Sequence, residues 1–367
     1  MIERQTSVII PTFNAGATLT RAIRSALDQQ PPPLEVLVID DGSTDGTEFL
    51  ARSFPEQVRF FRQIHAGPAA ARNQGLLAAR GKYIAFLDAD DYWLHGFIAA
   101  CEEFLETHPE AVAVSVRPRF IGSNGKLRDL DGFEDGLGIT AGFPFVIDDF
   151  FSFWGKWNHI CTGSCLLRKD IVNQAGGQRE DLRIAEDLEY WAYLATYGKW
   201  GYWPKVLWVC DSERASGQTG WLKKYRARRR CCPTVEEWQA RLLPRIEAKD
   251  MPRFIKARGR VAAMLAHHLI LGGHKTKAKA TLRNYISQMP RNWFTLLMRA
   301  GDKYGWFGWH LACAVVWSRE LQKVLFKALS KPLFTSTLGR GNFQPNVTRG
   351  ASAGSTVSLP HNTISGV

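Results

Sequence analysis

Over the first 120 residues, short apolar runs alternate with stretches of helical periodicity. Ser7–Ile10 is an apolar, β-branched run stopped by Pro11. Ala17–Gln29 places Leu19, Ile23, Ala26 and Leu27 at helical spacing, and Pro31–Pro33 end it. Leu34–Ile39 is a second apolar run, closed by Asp40 and Asp41. Ser43 and Thr44 are N-cap candidates for a short helix. Val58–Gln63 reads as strand, and Pro68–Ala79 as helix with Pro68 in its first turn and Gly81 as stop signal. Tyr83–Leu87 is a strand ending at Asp88, Leu94–Thr107 is helical, and Ala111–Val116 is the next strand.

Strands alternating with helices of this length predict an open, mostly parallel α/β sheet. Ligands on such sheets bind beyond the carboxyl ends of the strands. The polar clusters fall at those ends: Pro11–Asn14, Asp40–Gly46 and Asp88–Asp91. Residues 118–180 are less regular and rich in Gly, Phe and Trp, and Glu186–Tyr197 reads as helix. From Trp221 to about Lys331 the pattern is basic and helical, with apolar stretches at Val261–Leu271 and Trp306–Trp317. Thr335–Val367 is Gly, Ser, Thr, Asn and Pro with little apolar periodicity, the composition of a disordered tail.

Charge sharpens this division. Residues 1–217 carry 21 basic and 29 acidic side chains, a balance of −8, whereas 218–367 carry 26 and 6, a balance of +20. The expected organisation is a catalytic domain over 1–217, with halves 1–117 and 118–217, a basic helical extension over 218–334, and a tail over 335–367. Such an extension reads either as a helical cap packed on the catalytic domain with a solvated basic face or as a segment that docks on an anionic partner such as a membrane surface. No recognition motif accompanies the charge, so nucleic acid is not expected. The seven cysteines are an odd number with no zinc-like spacing, which predicts reduced thiols. No run of about 18 apolar residues is present to span a bilayer. The expected place is the cytoplasm, with peripheral attachment to the inner membrane face as the further option.

Three groups of residues carry candidate chemistry. A carboxylate beyond a strand end, as in Asp40–Asp45, can accept hydrogen bonds from a base N–H or ribose hydroxyls, and Phe13 can cover a base. The bland alternative is a turn and helix cap, since every residue of Asp41-Gly42-Ser43-Thr44-Asp45-Gly46 favours turns. The same segment half-matches a calcium loop, but its twelfth position is Arg52 rather than Glu. Asp88-Ala89-Asp90-Asp91 suits a hard divalent cation that also binds two phosphates and offsets charge on a leaving group. Alone it could equally be a solvated acidic turn. Glu186-Asp187 opens a helix, where the dipole favours negative charge and an ionised carboxylate can act as general base. Plain capping is the alternative there.

The order of these segments carries a resemblance. Val8-Ile9-Ile10-Pro11-Thr12-Phe13-Asn14, Val38-Ile39-Asp40-Asp41-Gly42-Ser43-Thr44-Asp45, Gly67-Pro68-Ala69-Ala70-Ala71-Arg72-Asn73, Gly81–Asp91, and Gly176-Gly177 followed by Glu186-Asp187 resemble the family 2 glycosyltransferases over about residues 5–215. The resemblance implies a GT-A fold and an inverting, single-displacement transfer from a nucleotide-diphosphate sugar, with a UDP-sugar the expected donor. It assigns Asp41 to the base, with Pro11, Thr12, Phe13 and Asn14 lining the nucleoside. Asp88, Ala89 and Asp90 stand as its Asp-x-Asp, Asp90 being the closer metal ligand and Mg2+ or Mn2+ the cation. Asp187 stands as the general base, Glu186 in support, and Arg72 at the phosphates or bracing its loop.

Two departures matter. Family members often carry a histidine after an arginine near the end of the catalytic domain, and here Arg214 is followed by Ala215. Processive members carry a Gln-x-x-Arg-Trp motif and membrane spans, and neither is in this sequence, so one sugar per binding event is expected. The acceptor implied is a saccharide or a lipid-linked sugar in surface polysaccharide or glycolipid assembly. A nucleotidyltransferase would need a Gly-rich phosphate loop where Pro11–Asn14 stands. A non-catalytic nucleotide-sugar-binding protein is the remaining alternative.

Overall fold

The structure is a computed structural model, describing residues 5–121, 126–129, 142–156, 159–211 and 229–329, with side chains to residue 322. The parallel strands come first: β1 (Thr6–Thr12), β2 (Glu35–Asp40), β3 (Val58–Arg62) and β4 (Tyr83–Phe86). They alternate with α1 (Leu19–Leu27), α2 (Thr47–Arg52) and α3 (Pro68–Ala78). Next come β5 (Tyr92–Trp93), α4 (Phe97–Thr107), β6 (Ala111–Ile121), β7 (Leu127–Asp129), β8 (Phe145–Ile147) and α5 (Phe150–Lys156). β9 (Cys165–Arg168), α6 (Lys169–Ala175), α7 (Glu186–Leu194) and β10 (Lys199–Cys210) complete the sheet layer. Beyond them lie α8 (Val235–Gln239), α9 (Met251–Leu271), α10 (Lys275–Tyr285), α11 (Trp293–Lys303) and α12 (Gly305–Leu329).

The strands form one sheet in the order β3-β2-β1-β4-β9-β6-β10-β5, with β7 on β6 and β8 on β10. β1 pairs in parallel with β2 and β4, and β2 with β3. β9 enters antiparallel between β4 and β6. Every residue of β2 is buried, as expected of a parallel strand covered on both faces. Alternate residues feed different cores. Val8, Ile10, Val36, Val38 and Ala85 pack with α1 and α4, while Ile9, Leu37, Ile39, Ile84 and Phe86 pack with α3, α7 and the C-terminal helices.

The extension therefore shares one of the two layers with α3, α5 and α7. Trp238 of α8, Phe254 and Val261 of α9, and Ala278 of α10 belong to the same apolar cluster as Ile9 and Phe86. Trp238 stacks between Trp154 and Phe254, with ring centroids 6.5 Å away on each side. Residues 1–324 form one compact unit and Leu325–Val367 a second, so the charge boundary at 217 does not divide the fold. All seven cysteines are free thiols. Among the described residues no helix is long and apolar enough to cross a membrane. The expected tail at 335–367, and Ala215 with its neighbours, lie outside the described residues.

Candidate active site

The β1–α1 loop and the loop after β2 are latched together. Asn14 stands in the left-handed region at φ 51°, which its short amide side chain tolerates. Its Oδ1 accepts from the Thr44 amide at 2.8 Å, and its own amide donates to Ser43 Oγ at 2.8 Å. Ser43 is thus already engaged, its amide also donating to Asp40 Oδ1 at 3.1 Å, and the short helix starts later, at Thr47. Asp45 begins it instead, accepting from the amides of Thr47 at 3.0 Å and Gly16 at 3.1 Å. Burial would raise the Asp45 carboxyl, but the Thr47 hydroxyl and these amides outweigh it and hold it below its ordinary value.

Asp41 is buried and organises the loop after β3. Its Oδ1 accepts from Gln63 Nε2 at 2.8 Å and from the Ala66 amide at 2.8 Å, and its Oδ2 accepts from the Gly67 amide at 2.9 Å. His65 Nδ1 lies 2.8 Å from Oδ2, and the His65 ring stands 4.4 Å from that of Phe13. Gly67 holds φ 101°, which favours glycine, and lets the chain turn into α3. The observed work of Asp41 is therefore to fix a loop beside Phe13. Thr12 is buried, and its Oγ1 has no hydrogen-bond partner among the described residues.

The carboxylates after β4 are held from three sides. Arg72, buried on α3, donates through Nη2 to Asp88 Oδ1 at 2.9 Å and through Nη1 to Gln178 Oε1 at 3.2 Å. Burial opposes the Arg72 charge, and the Asp88 and Glu186 carboxylates more than offset that. Arg21 of α1 donates to the Asp90 carbonyl oxygen at 2.6 Å and pairs with Asp211 Oδ2 at 2.5 Å. The Asp211 amide donates to Asp91 Oδ1 at 2.8 Å. Burial, then the charges of Asp90 and Asp88, push buried Asp91 well above the ordinary carboxylate range. Ala89 is buried between them. Among the described residues no three His, Cys, Asp or Glu side chains gather to hold a metal ion by themselves.

Asp187 opens α7, and Ala185 before it holds φ 63°, a conformation that costs a non-glycine residue about 1–2 kcal/mol. The extension fixes this turn, because Trp238 Nε1 donates to the Ala185 carbonyl at 3.2 Å. The helix dipole favours an ionised Asp187, but burial and the neighbouring Glu186 carboxylate win and push it up to about 6. Arg72 pulls in the other direction. Asp187 also feels Asp88, so the structure brings the Arg72, Asp88–Asp91 and Glu186–Asp187 segments into one electrostatic site.

Gly176-Gly177 joins them by close approach. A Cβ on Gly177 would stand 2.3 Å from Asn73 Oδ1, and Asn73 clasps Gln178 by accepting from its amide at 2.8 Å and donating to its carbonyl at 2.9 Å. Among the described residues, the buried donors Arg72 Nε and Gln178 Nε2 have no acceptor. Two such donors beside a carboxylate cluster are suited to an anionic ligand whose charge is shared with a cation. Arg21, Gln178 and Asp211 are missing from the motif reading. Gln178 directly follows the glycine pair and could have been found there, whereas no local signal marks Arg21 or Asp211.

Residues 7–176 match the model of glycosyl transferase family 2. The chain carries a family 2 glycosyl transferase domain. It is 44% identical over 88 residues to the uncharacterised glycosyltransferase YibD of Escherichia coli (strain K12), covering 23% of this chain and 26% of that one. It is 32% identical over 210 residues to the succinoglycan biosynthesis protein ExoU of Rhizobium meliloti (strain 1021), covering 52% of this chain and 57% of that one. The chain thus matches only 26% and 57% of the length of these two relatives. The fold is that of the mannosyltransferase PcManGT from Pyrobaculum calidifontis in complex with GDP-Man and Mn2+. That likeness has a TM-score of 0.52 at 18% identity and covers 92% of this chain and 89% of the other. The GT-A expectation for the sheet is thereby met.

Proposed function

We propose that the chain is an inverting glycosyltransferase that moves one sugar per binding event from a nucleotide-diphosphate donor, a UDP-sugar, to a hydroxyl of a saccharide or lipid-linked acceptor. The observation that carries this is the gathering of Asp187, in the first turn of α7, with Asp88 and the Arg72 that binds it, in a chain whose residues 7–176 match the family 2 model. Burial and Glu186 there raise the Asp187 carboxyl to about 6. A base with that affinity is ionised at neutral pH and still accepts a proton readily. Asp187 removes the acceptor hydroxyl proton as that oxygen bonds to the anomeric carbon. The bond from that carbon to the diphosphate oxygen breaks, and the nucleoside diphosphate leaves with the electron pair. Glu186 tunes Asp187 by its charge. Pro11, Thr12, Phe13 and Asn14, with the loop that Asp41 fixes, take the nucleoside.

Asp90 and Asp88 are the groups to hold Mg2+ or Mn2+. Their donor set fits a hard cation taking one or two carboxylates and completing its shell with phosphate and water oxygens. Bound there, such an ion supplies Lewis-acid stabilisation of the departing diphosphate. Arg72 and Gln178 bring the unmatched donors described above to the same anion. The ExoU likeness supports a role in polysaccharide assembly, and the basic second half supports work at an anionic membrane face.

Thermal unfolding with UDP, GDP, CDP and dTDP, each with Mn2+ and then with EDTA, tests donor binding. One nucleotide at 100 times its dissociation constant is expected to add about 2.7 kcal/mol of stability, and EDTA to remove most of it. No stabilisation by any of the four would overturn the donor assignment. Stabilisation indifferent to EDTA would overturn the cation alone.

A further inference from the structure

α11 and α12 form a tight helical hairpin. A Cβ on Gly301 would meet Ala312 Cβ at 2.7 Å and the Gly308 carbonyl oxygen at 2.9 Å, so the helices cross at backbone distance. Gly305, at φ 68°, begins α12 directly after Tyr304. One side of α12 is core: Trp309, Ala312, Cys313 and Val316 are buried. The other side is apolar too, yet uncovered. Tyr304 and Trp306 are each 73% exposed, Phe307 72% and Leu311 56%, and Val315 continues the stripe one turn on. Leu296 of α11 is exposed as well. A helix that is apolar on both sides is ordinarily covered on both.

The charge around this stripe has one sign. Residues 275–322 contain eight Lys or Arg against Asp302 and Glu320. Both acids are already paired, exposed Asp302 with Lys279 at 3.4 Å and largely covered Glu320 with Arg229 at 2.6 Å. Lys275, Lys277, Arg291 and Lys303 pair with no carboxylate among the described residues. A second copy of the chain placing the same stripe here would bring like charges together. The last 38 residues contain no Asp or Glu and complement the surface no better.

We propose that the Tyr304–Val315 stripe, with its flanking lysines and arginines, docks on an anionic lipid bilayer and holds the protein there as a peripheral protein. Aromatic side chains such as Trp306 and Tyr304 settle at the level of lipid headgroups, and the surrounding cations meet anionic headgroups. Phe307 and Leu311 enter the acyl boundary as the apolar face of an interfacial helix. The inference rests on the transferase reading only for why such docking is useful, namely access to a lipid-linked acceptor.

The test is sedimentation of the full chain with vesicles of phosphatidylcholine alone and with one-quarter phosphatidylglycerol, at low and at 0.5 M salt. Binding only to the anionic vesicles, weakened at least tenfold by salt, is the expected result. The double variant Trp306→Ser/Phe307→Ser should lose at least tenfold in vesicle binding at an unchanged melting temperature, since both side chains are exposed. If that variant fails to fold, Arg299→Glu/Lys303→Glu makes the same test through charge. No binding to anionic vesicles, or equal binding by folded variants, would overturn the proposal. So would a wild-type dimer in sedimentation equilibrium that the double variant abolishes, because the stripe would then be a contact between copies. The nucleotide-dependent thermal shift separates the two readings. A shift without vesicle binding sinks docking alone, and vesicle binding without a shift sinks the donor assignment alone.

Discussion

Asp187→Asn is expected to lower kcat about a thousandfold, within the usual range for removal of a general base, while donor binding persists. Asn keeps the shape, and its Oδ1 can still accept from the Leu188 amide as Asp187 does at 2.8 Å. What disappears is the group that takes the acceptor proton. In the native enzyme kcat/KM should fall tenfold per pH unit below about 6, because the active form is ionised and the site holds Asp187 at about 6. The stability effect has the opposite sign to the activity effect. A carboxyl raised on folding binds its proton more tightly in the folded state, so Asp187 costs stability as pH rises from its ordinary value through about 6. At pH 7 the neutral Asn removes that cost, and the melting temperature should rise rather than fall. A variant retaining a tenth of native kcat would remove Asp187 from the role of base, and donor binding with no turnover by the native protein would favour a binder.

The parallel half of the sheet is legible because β1, β2 and β4 are buried on both faces. They read as apolar runs punctuated by Pro11, Asp40 and Asp88, while the edge strand β3, half-buried with Arg59 and Arg62 among its residues, is legible from Val58, Phe60 and Phe61. The site is legible for the same reason, since polar residues at strand ends stand out against such runs. What fails is long-range. β9 is only four residues, Cys165–Arg168, and nothing in Cys-Leu-Leu-Arg tells that it inserts between β4 and β6. The helix expected from Ser43 or Thr44 starts at Thr47 because Asn14, distant in sequence, already engages Ser43 and Thr44. A helix-end carboxylate reads as easily ionised, yet Asp187 is raised, because burial and Glu186 are properties of the packed site. The extension reads as a basic helical cap on the catalytic domain, but a local count of charge does not tell which residues make the contact. Its contacts with α7 and the turn before it run through particular side chains, among them Trp238, Arg241 and Arg245.

Arg241→Ala should be strongly destabilising. Arg241 clamps Glu189 of α7 with two bonds, Nε to Oε1 at 2.9 Å and Nη2 to Oε2 at 2.7 Å. Its third arm donates to the Gly177 carbonyl at 3.0 Å, and its guanidinium lies 4.0 Å from the centre of the Tyr193 ring. The Glu189 side chain is wholly buried, and its burial raises the carboxyl despite the Arg241 bonds. Removing Arg241 leaves that carboxylate without its partner in the interior, a loss of about 3–5 kcal/mol, or on the order of 10 °C in melting temperature. Thermal unfolding of the four-member cycle Arg241→Ala, Glu189→Gln, both and neither isolates the cause. If the uncompensated charge is the damage, the double variant should be more stable than Arg241→Ala alone, and additive losses would refute this. The consequence reaches the chemistry through geometry. Gly177 precedes the Gln178 that supports Arg72, and Asp187 lies in the first turn of α7, so the same arginine aligns both sides of the reacting centre. Its loss should lower kcat at temperatures where the protein is still folded, with little effect on nucleotide binding at Phe13 and the Asp41 loop.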